Sequence, residues 1–306
     1  IVAPIAAGVI LLGAWALNAP ALARGMTLVS AIQTQEAGRN STGVVVGVPK
    51  DPKKNLAEFQ TALGAPVWPG NPLGVQETTE QMLQFVSNLA PQQNVDPQIK
   101  SDAFVAAKNA IDALNVSRSG DARLELFEAM LLGQFGQTAD AIAHLKKALE
   151  YSPKKQQILI QLGLTYLQAG DIQSALGVLK QAFESETRFD AARNYYVAAL
   201  YAVGQIATAD ALLNERYGTT VVDDPQLLQA YMSLKLYPQA IAIWKKRVEA
   251  APNDVQTNLG LASVYFASGD KATTIAILQK IAKLQPSVAA EMQNLIKQIQ
   301  NGTLKP

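Results

Sequence analysis

Few residues of this 306-residue chain have the types and spacing that catalysis or metal binding requires. The chain has no cysteine, which excludes disulfides, thiolate metal sites and cysteine nucleophiles. Its single histidine, His144, lies beside Lys146 and Lys147 in a helical pattern, and we interpret it as a solvated surface side chain. Histidine-based zinc sites and catalytic triads are therefore not expected.

The acidic residues follow patterns that are typical of helix ends rather than of acid–base chemistry. Asp223 and Asp224 precede Pro225, and acids of this kind favour the first turn of a helix. Glu184 and Glu186 end a predicted helix without a partnering acid. The run "GVVVGV" at 43–48 lacks the Lys-Ser/Thr pair of a phosphate-binding loop. We therefore expect no enzyme activity and no catalytic, cofactor-binding or metal-binding residue.

The composition bounds the partners and the architecture. The net charge is +1, and the lysines and arginines do not form the basic stripe that a nucleic-acid-binding surface needs. With 49% hydrophobic residues, the chain can bury a large core. Its length suits two ordinary domains or one array of repeats.

A repeat period organises the second half of the chain. Gly136, Gly170 and Gly204 follow one another at 34-residue intervals, and Gly269 holds the same place in a later unit. Pro252 and Pro286 are also 34 residues apart. Thirty-four residues is the length of a helix–turn–helix repeat in which glycine permits the turn.

The clearest copy covers residues 156–189, where Gly163 and Ala175 are small at points where two helices must approach closely. Residues 122–155 and 255–286 repeat the pattern, and two degraded copies lie between them. Residues 122–300 resemble the tetratricopeptide repeat (TPR) family. The resemblance implies an all-α, right-handed superhelix of about five helix pairs, with residues 287–300 as a capping helix.

The resemblance also implies a binding surface, because the first helix of each repeat lines the concave face of such an array. The candidate groove residues are Leu126, Met130, Ile160, Leu164, Asn194, Tyr201, Leu259 and Phe266. Lysine and arginine are absent from this set. We therefore expect the groove to bind an apolar or aromatic segment of a protein, or other copies of the chain.

Residues 1–23 contain no charged side chain, and Arg24 is the first charge. Residues 4–23 would form a helix about 30 Å long, enough to cross a bilayer core. Such a helix must be buried, either in lipid or against other copies of the chain. Ile1 is not an initiator methionine, which is consistent with a processed subunit that assembles through this helix. A cleaved signal peptide and a segment of the chain's own core are further alternatives.

A second resemblance covers the whole chain. The stretches "WALNAPALARGMTLVSAI", "NLAEFQTAL" and "YGTTVVDDPQLLQAYMSLKLYPQAIAIWKKRVE" resemble the tail of bacterial O-antigen ligase-like membrane proteins, which follows their last membrane helix. This resemblance implies a bacterial origin and a membrane link, with the glycan-transfer machinery upstream of such a tail. The implied location is the membrane or the cell surface. Its side stays undecided, although the basic residues that follow the apolar stretch favour the cytoplasm: Arg24, Arg39, Lys50, Lys53 and Lys54.

These patterns divide the chain into an apolar helix at 1–24, a connector with irregular helices at 25–96, and TPR-type repeats at 97–306. The favoured hypothesis is a non-catalytic scaffold for protein–protein interaction, tethered through its N-terminal helix. One alternative is a processed, exported subunit that forms a filament or surface polymer through residues 1–23. Another is a C-terminal fragment of an O-antigen ligase-like glycan transferase.

Overall fold

The computed structural model describes residue 19 and residues 22–39, 45–64 and 74–305. The chain forms two compact units, Ile1–Ile158 and Leu159–Pro306, here called the first and second unit. Nearly all of the apolar helix predicted at 1–24 lies outside the described residues. Among the helices that are described, none combines the length and the hydrophobicity needed to cross a bilayer.

The described part of the first unit contains a helix at residues 22–31, a two-stranded sheet and five further helices, apart from the first residues of a sixth. The strands are β1 (Thr34–Arg39) and β2 (Val45–Pro49), paired antiparallel with Thr34 opposite Pro49. The five helices are α1 (Pro52–Gly64), α2 (Val75–Leu89), α3 (Pro97–Ser117), α4 (Ala122–Gln134) and α5 (Thr138–Tyr151).

Within the segment 25–96, predicted as a connector with irregular helices, α1 and α2 contribute side chains to a hydrophobic core. Phe59 of α1 and Met82 of α2 are fully buried in one hydrophobic cluster with Ile111 of α3 and Leu124 of α4. The helices themselves follow their local signals, since Asp96 caps α3 by accepting a hydrogen bond from the Gln98 amide, with Pro97 in the first turn. The pairing of these apolar faces could not be predicted from the single helices, because it depends on contacts between residues far apart in the chain.

Arg24 does not close a membrane segment with a solvated charge. Its side chain is 2% exposed, and its Nε donates to the Ala62 carbonyl of α1 over 2.9 Å. Asn55 of α1 donates to the Ala31 carbonyl at 2.6 Å. The helix at 22–31 is therefore fixed to α1.

Helix α6 (Gln156–Gln168) begins in the first unit, and most of it belongs to the second. The second unit also contains eight further helices. They are α7 (Ile172–Ser185), α8 (Asp190–Ala202), α9 (Ile206–Tyr217), α10 (Pro225–Ser233), α11 (Tyr237–Ala250), α12 (Val255–Ala267), α13 (Lys271–Leu284) and α14 (Ala289–Gln300). A short 3₁₀ turn, Pro286–Val288, precedes α14.

Helices α4 to α13 form five consecutive pairs, as the repeat period predicts. The described repeats are all helical, and the two-stranded sheet at residues 34–49 is the exception to the predicted all-α class. The right-handed sense of the superhelix and the domain boundary at 96/97 stay predictions.

The turn within each pair needs a left-handed backbone, which explains the glycine period. Gly136, Gly170, Gly204 and Gly269 all have φ between 76° and 87°. In the α10–α11 pair the same place is taken by Lys235, with φ 57°. The period slips just before this pair because α9 ends at Gly218 and a loop leads to a short α10.

Glycine also allows two helices of a pair to touch. A Cβ at Gly163 of α6 would lie 2.5 Å from Leu179 of α7. A Cβ at Gly260 of α12 would collide with the indole of Trp244. The prediction that Gly163 and the fully buried Ala175 mark close helix contacts agrees with this packing.

Candidate functional site

The most neutral cavity of the second unit lies among the first helices of three pairs. It has a volume of about 500 Å³ and is formed by α6, α8 and α10. Its lining residues are Leu164, Leu167, Gln168, Tyr195, Gln229, Ala230, Ser233 and Leu234. None of these side chains carries a charge at neutral pH, so the cavity is suited to an uncharged, partly apolar segment.

The cavity has an apolar wall and a polar edge. Leu164, Leu167 and Leu234 are half-buried, whereas Gln168, Gln229 and Ser233 are exposed and can donate or accept hydrogen bonds. Burial raises the pKa of the Tyr195 phenol, and the nearby Asp224 charge adds to this effect. Tyr195 therefore keeps its proton at neutral pH.

Local signals fix the start of α10, which forms one side of the cavity. Asp224 accepts a hydrogen bond from the Leu227 amide at 2.8 Å, and Pro225 occupies the first turn. Asp223 instead pairs with Arg247 of α11, with its Oδ1 2.9 Å from the Arg247 Nε. The prediction that residues 223–225 begin a helix is confirmed.

Four of the predicted groove residues lie on the helices that form this cavity, in different environments. Leu164 lines the cavity, and Ile160 is half-buried one turn earlier on α6. Asn194 and Tyr201 of α8 are buried in the core instead. Asn194 accepts from the Tyr217 hydroxyl at 3.1 Å, and the Tyr201 hydroxyl donates to Asp210 at 2.5 Å. These two side chains were wrongly placed in the groove because each faces the second helix of its own pair.

The other predicted groove residues are distributed over both units. Leu259 of α12 lines a second cavity of about 460 Å³, and Phe266 is half-buried against the hydrophobic cluster of α12–α14. Met130 of the first unit is 46% exposed beside a cavity of about 270 Å³. Whether any of these residues binds a partner stays a prediction.

The cavity that Leu126 lines is unlike the one in the second unit. It has a volume of about 690 Å³, and Arg118, Arg123 and Lys155 lie around it. Arg118 donates to Gln76, and Arg123 pairs with Glu80. The sequence pattern missed these cations because they lie in turns and first turns rather than on the apolar helical stripe.

His144 is not the solvated side chain that the sequence suggested. It is half-buried on α5 and faces two acids of α4, with its Nδ1 2.7 Å from Glu125 Oε2 and its Nε2 3.2 Å from Glu128 Oε1. Lys147 Nζ lies 2.6 Å from Glu125, and Lys108 Nζ lies 3.0 Å from Glu128. The sequence interpretation failed because these residues are 16 to 19 positions apart and meet only when α4 packs on α5.

The pKa values reflect this burial. Burial raises the pKa of the Glu128 carboxyl, while Lys108 and His144 act in the opposite direction. The Glu125 carboxylate raises the pKa of Lys147. Burial lowers the pKa of Lys108, but its hydrogen bonds to Asp112 and Glu128 outweigh this, and the pKa is raised. Both lysines are therefore fully charged at neutral pH.

Comparison with known proteins identifies a tetratricopeptide repeat match in part of the repeat region. Residues 134–182 match the tetratricopeptide repeat family model. No curated protein gave a match to the sequence.

Solved structures with a similar fold include three proteins. A tetratricopeptide repeat protein from Parabacteroides merdae is 16% identical, with 77% of this chain and 74% of that chain covered and a TM-score of 0.42. YrrB, described as a TPR protein with an unusual peptide-binding site, is 16% identical, with 58% and 94% covered and a TM-score of 0.39. Yeast Tom70 is 13% identical, with 83% and 51% covered and a TM-score of 0.44.

Proposed function

We propose that this chain is a non-catalytic scaffold that binds a segment of a partner protein in the cavity formed by α6, α8 and α10. The observation that carries the proposal is the position of this cavity on the first helices of three successive pairs, together with its uncharged lining. The tetratricopeptide repeat match supports a protein-binding role.

The lining specifies the chemistry of the bound segment. Leu164, Leu167 and Leu234 would cover an apolar or aromatic side chain, and burying that side chain contributes roughly 1.5–3 kcal/mol. The amides of Gln168 and Gln229 would bond to the main chain of the segment. An acidic or basic side chain would lose its hydration here without gaining an opposite charge, so charged segments should bind poorly.

A peptide library displayed on phage and selected against the immobilised chain tests the proposal. We expect the selected peptides to share one apolar or aromatic position and no conserved charge. Gln229→Trp, which places an indole at the cavity, should weaken binding of a synthetic selected peptide by more than about tenfold. The matched control is Gln256→Trp, an exposed glutamine on α12 beside the second cavity. Equal binding to the wild type and to Gln229→Trp would contradict the proposal.

An exposed stripe supports a second element of the function, attachment to a membrane. Leu22, Met26 and Val29 of the helix at 22–31 are 67%, 67% and 64% exposed, and Ile32 after it is 43% exposed. Their spacing places them on one helical face, and they continue the uncharged sequence of residues 1–23. We propose that residues 1–23 and this stripe hold the scaffold at a lipid bilayer.

Flotation with vesicles of phosphatidylglycerol and phosphatidylcholine tests the attachment. The intact chain should float, whereas a chain without residues 1–24 should stay at the bottom and remain helical. Light scattering after detergent removal examines the alternative of a self-assembling subunit, since an ordered polymer without lipid would favour that alternative. A soluble monomer that neither floats nor polymerises would overturn both. The resemblance to O-antigen ligase-like proteins stays a prediction, and glycan transfer is not proposed.

A further inference from the structure

A cluster of three metal-ligating side chains lies between α4 and α5, and none of them lines the proposed binding cavity. Glu125 and Glu128 are separated by three positions on α4 and so share one face of the helix. His144 of α5 places one ring nitrogen against each carboxylate, at 2.7 Å and 3.2 Å. One ligand atom from each of the three residues can be chosen so that all lie within 4.8 Å of one another.

The burial of the two carboxylates makes this cluster unusual. Glu125 and Glu128 are each 2% exposed, and a buried carboxylate needs a compensating cation or strong donors. Lys147 and Lys108 supply that charge here, and Asn115 Nδ2 donates to Glu128 Oε2 at 2.6 Å. The two lysine side chains are 48% and 32% exposed, so each can swing into solvent without unfolding a helix.

We propose that Glu125, Glu128 and His144 form a binding site for one Zn²⁺ ion. Zinc bonds of about 2.0–2.2 Å to nitrogen and oxygen place neighbouring ligand atoms roughly 3–4 Å apart, so small side-chain rotations close the site. The two carboxylates neutralise the ion, and Lys147 and Lys108 turn outward. One imidazole nitrogen ligates the metal while the other donates its proton to a carboxylate, which orients the ring.

The ligand set also favours zinc over the hard divalent cations. Mg²⁺ and Ca²⁺ prefer sites made entirely of oxygen atoms, whereas an imidazole suits zinc and its neighbours. The chain has one histidine and no cysteine, so an imidazole-containing zinc site in this chain must involve His144. This composition gives the test an unambiguous signal.

Nuclear magnetic resonance of the full chain in detergent, labelled with ¹⁵N only in histidine, tests the proposal. One imidazole gives one pair of ring-nitrogen signals. Addition of zinc chloride should shift one ring nitrogen in the direction of metal coordination and saturate at one equivalent, whereas magnesium chloride should leave both unchanged. No shift of either nitrogen at a tenfold excess of zinc would overturn the proposal.

Calorimetric zinc titration of variants separates a metal site from a purely structural ion cluster. His144→Ala should weaken zinc binding by more than about tenfold. Lys147→Met should tighten zinc binding, because it removes the Lys147 ammonium that competes with the ion for the Glu125 carboxylate. This variant keeps all three ligands. The control Lys180→Met removes an exposed lysine from α7 and should change nothing. Weaker or unchanged zinc binding in Lys147→Met would contradict the proposal.

Discussion

The two units are built from the same kind of helix pair, but they bury different polar groups. Between α4 and α5 of the first unit, two carboxylates, an imidazole and two ammonium groups form a compact ionic cluster. In the second unit, the phenols of Tyr201, Tyr217 and Tyr231 lie among α8, α9 and α10, and the Tyr217 hydroxyl donates to the neutral amide of Asn194.

The exceptions in the second unit sharpen this contrast. Arg193 is buried, but it donates to the Thr187 and Leu212 carbonyls and stacks 5.0 Å over the Phe183 ring instead of joining a buried acid. Asp210 accepts from Tyr201, and burial followed by this hydrogen bond raises the pKa of that phenol. The repeat architecture therefore tolerates either an ionic or a largely neutral interior, and the choice decides what each region can bind.

Removing one acid from the ionic cluster should have the largest effect on stability. Glu128→Ala removes the acceptor of the Asn115 amide and one of the two carboxylates that Lys108 bonds, the other being Asp112. Breaking a fully buried pair costs about 3–5 kcal/mol, and we expect about 2–3 kcal/mol here because Lys108 is partly solvated. Urea unfolding followed by helical circular dichroism measures the loss.

The matched change in the second unit should have the opposite sign. The buried hydroxyl of Tyr231 has no hydrogen-bond partner among the residues that the structure describes, so Tyr231→Phe should stabilise the protein by up to about 1 kcal/mol. A loss of stability of more than about 1 kcal/mol in Tyr231→Phe would contradict the contrast between the two interiors. Unchanged stability in Glu128→Ala would also contradict it.

Two glycines of one helix pair test the close packing in the second unit. Gly163→Ala should cost about 1–3 kcal/mol, because its Cβ would overlap Leu179. Gly177 of α7 is exposed with no atom near its Cβ position, so Gly177→Ala should stabilise by about 0.5–1 kcal/mol. Thermal unfolding of both variants checks the prediction, which fails if the two changes have the same sign.

Acidification should affect one carboxyl in each unit in opposite ways. The pKa of Glu128 is raised above 4.5 by burial, so its contribution to stability is present below that pH and is lost as the pH rises through the raised pKa. The hydrogen bonds from Arg216 lower the pKa of Asp190 below 3.8, so its contribution is present above that pH and is lost as the pH falls.

Urea unfolding at about pH 6 and about pH 3 measures this difference. Glu128→Gln should increase the stability lost on acidification, and Asp190→Asn should decrease it. Each change should be below about 1 kcal/mol, since Asp190 is on the surface and its ion pair is screened. Shifts in the same direction for both variants would contradict the assignment.

The smallest effect is expected at the irregular turn of the second unit. Lys235 adopts the left-handed backbone that glycine takes in the other pairs. Lys235→Gly should relieve this strain but increase the entropy of the unfolded chain, giving a net gain of less than about 1 kcal/mol. By comparison, Gly204→Ala should destabilise by about 1 kcal/mol. Urea unfolding of the two variants measures both stability changes. Opposite signs would show that the left-handed backbone of the turn favours glycine at both positions.

The sequence by itself determined the features that depend on local signals. The 34-residue glycine period marks turns that need a positive φ, and Asp224 with Pro225 marks the start of α10. Gly163 and Ala175 identified a close helix contact because small residues recur there at helical spacing. These features follow from backbone sterics and capping, which involve residues near one another in the chain.

Only the tertiary structure decided which side chains meet. The turn at Lys235 could not be recognised from a glycine, because a lysine adopts the left-handed backbone there at moderate cost. Arg24 was interpreted as a flanking charge until its contact with Ala62 placed it in a core. The side chains of Asn194 and Tyr201 are buried in the core. The cavity of α6, α8 and α10 is lined by residues from three separate repeats. His144, Glu125 and Glu128 became a cluster only when two helices packed, because the distance between side chains is set by packing and not by spacing along the chain.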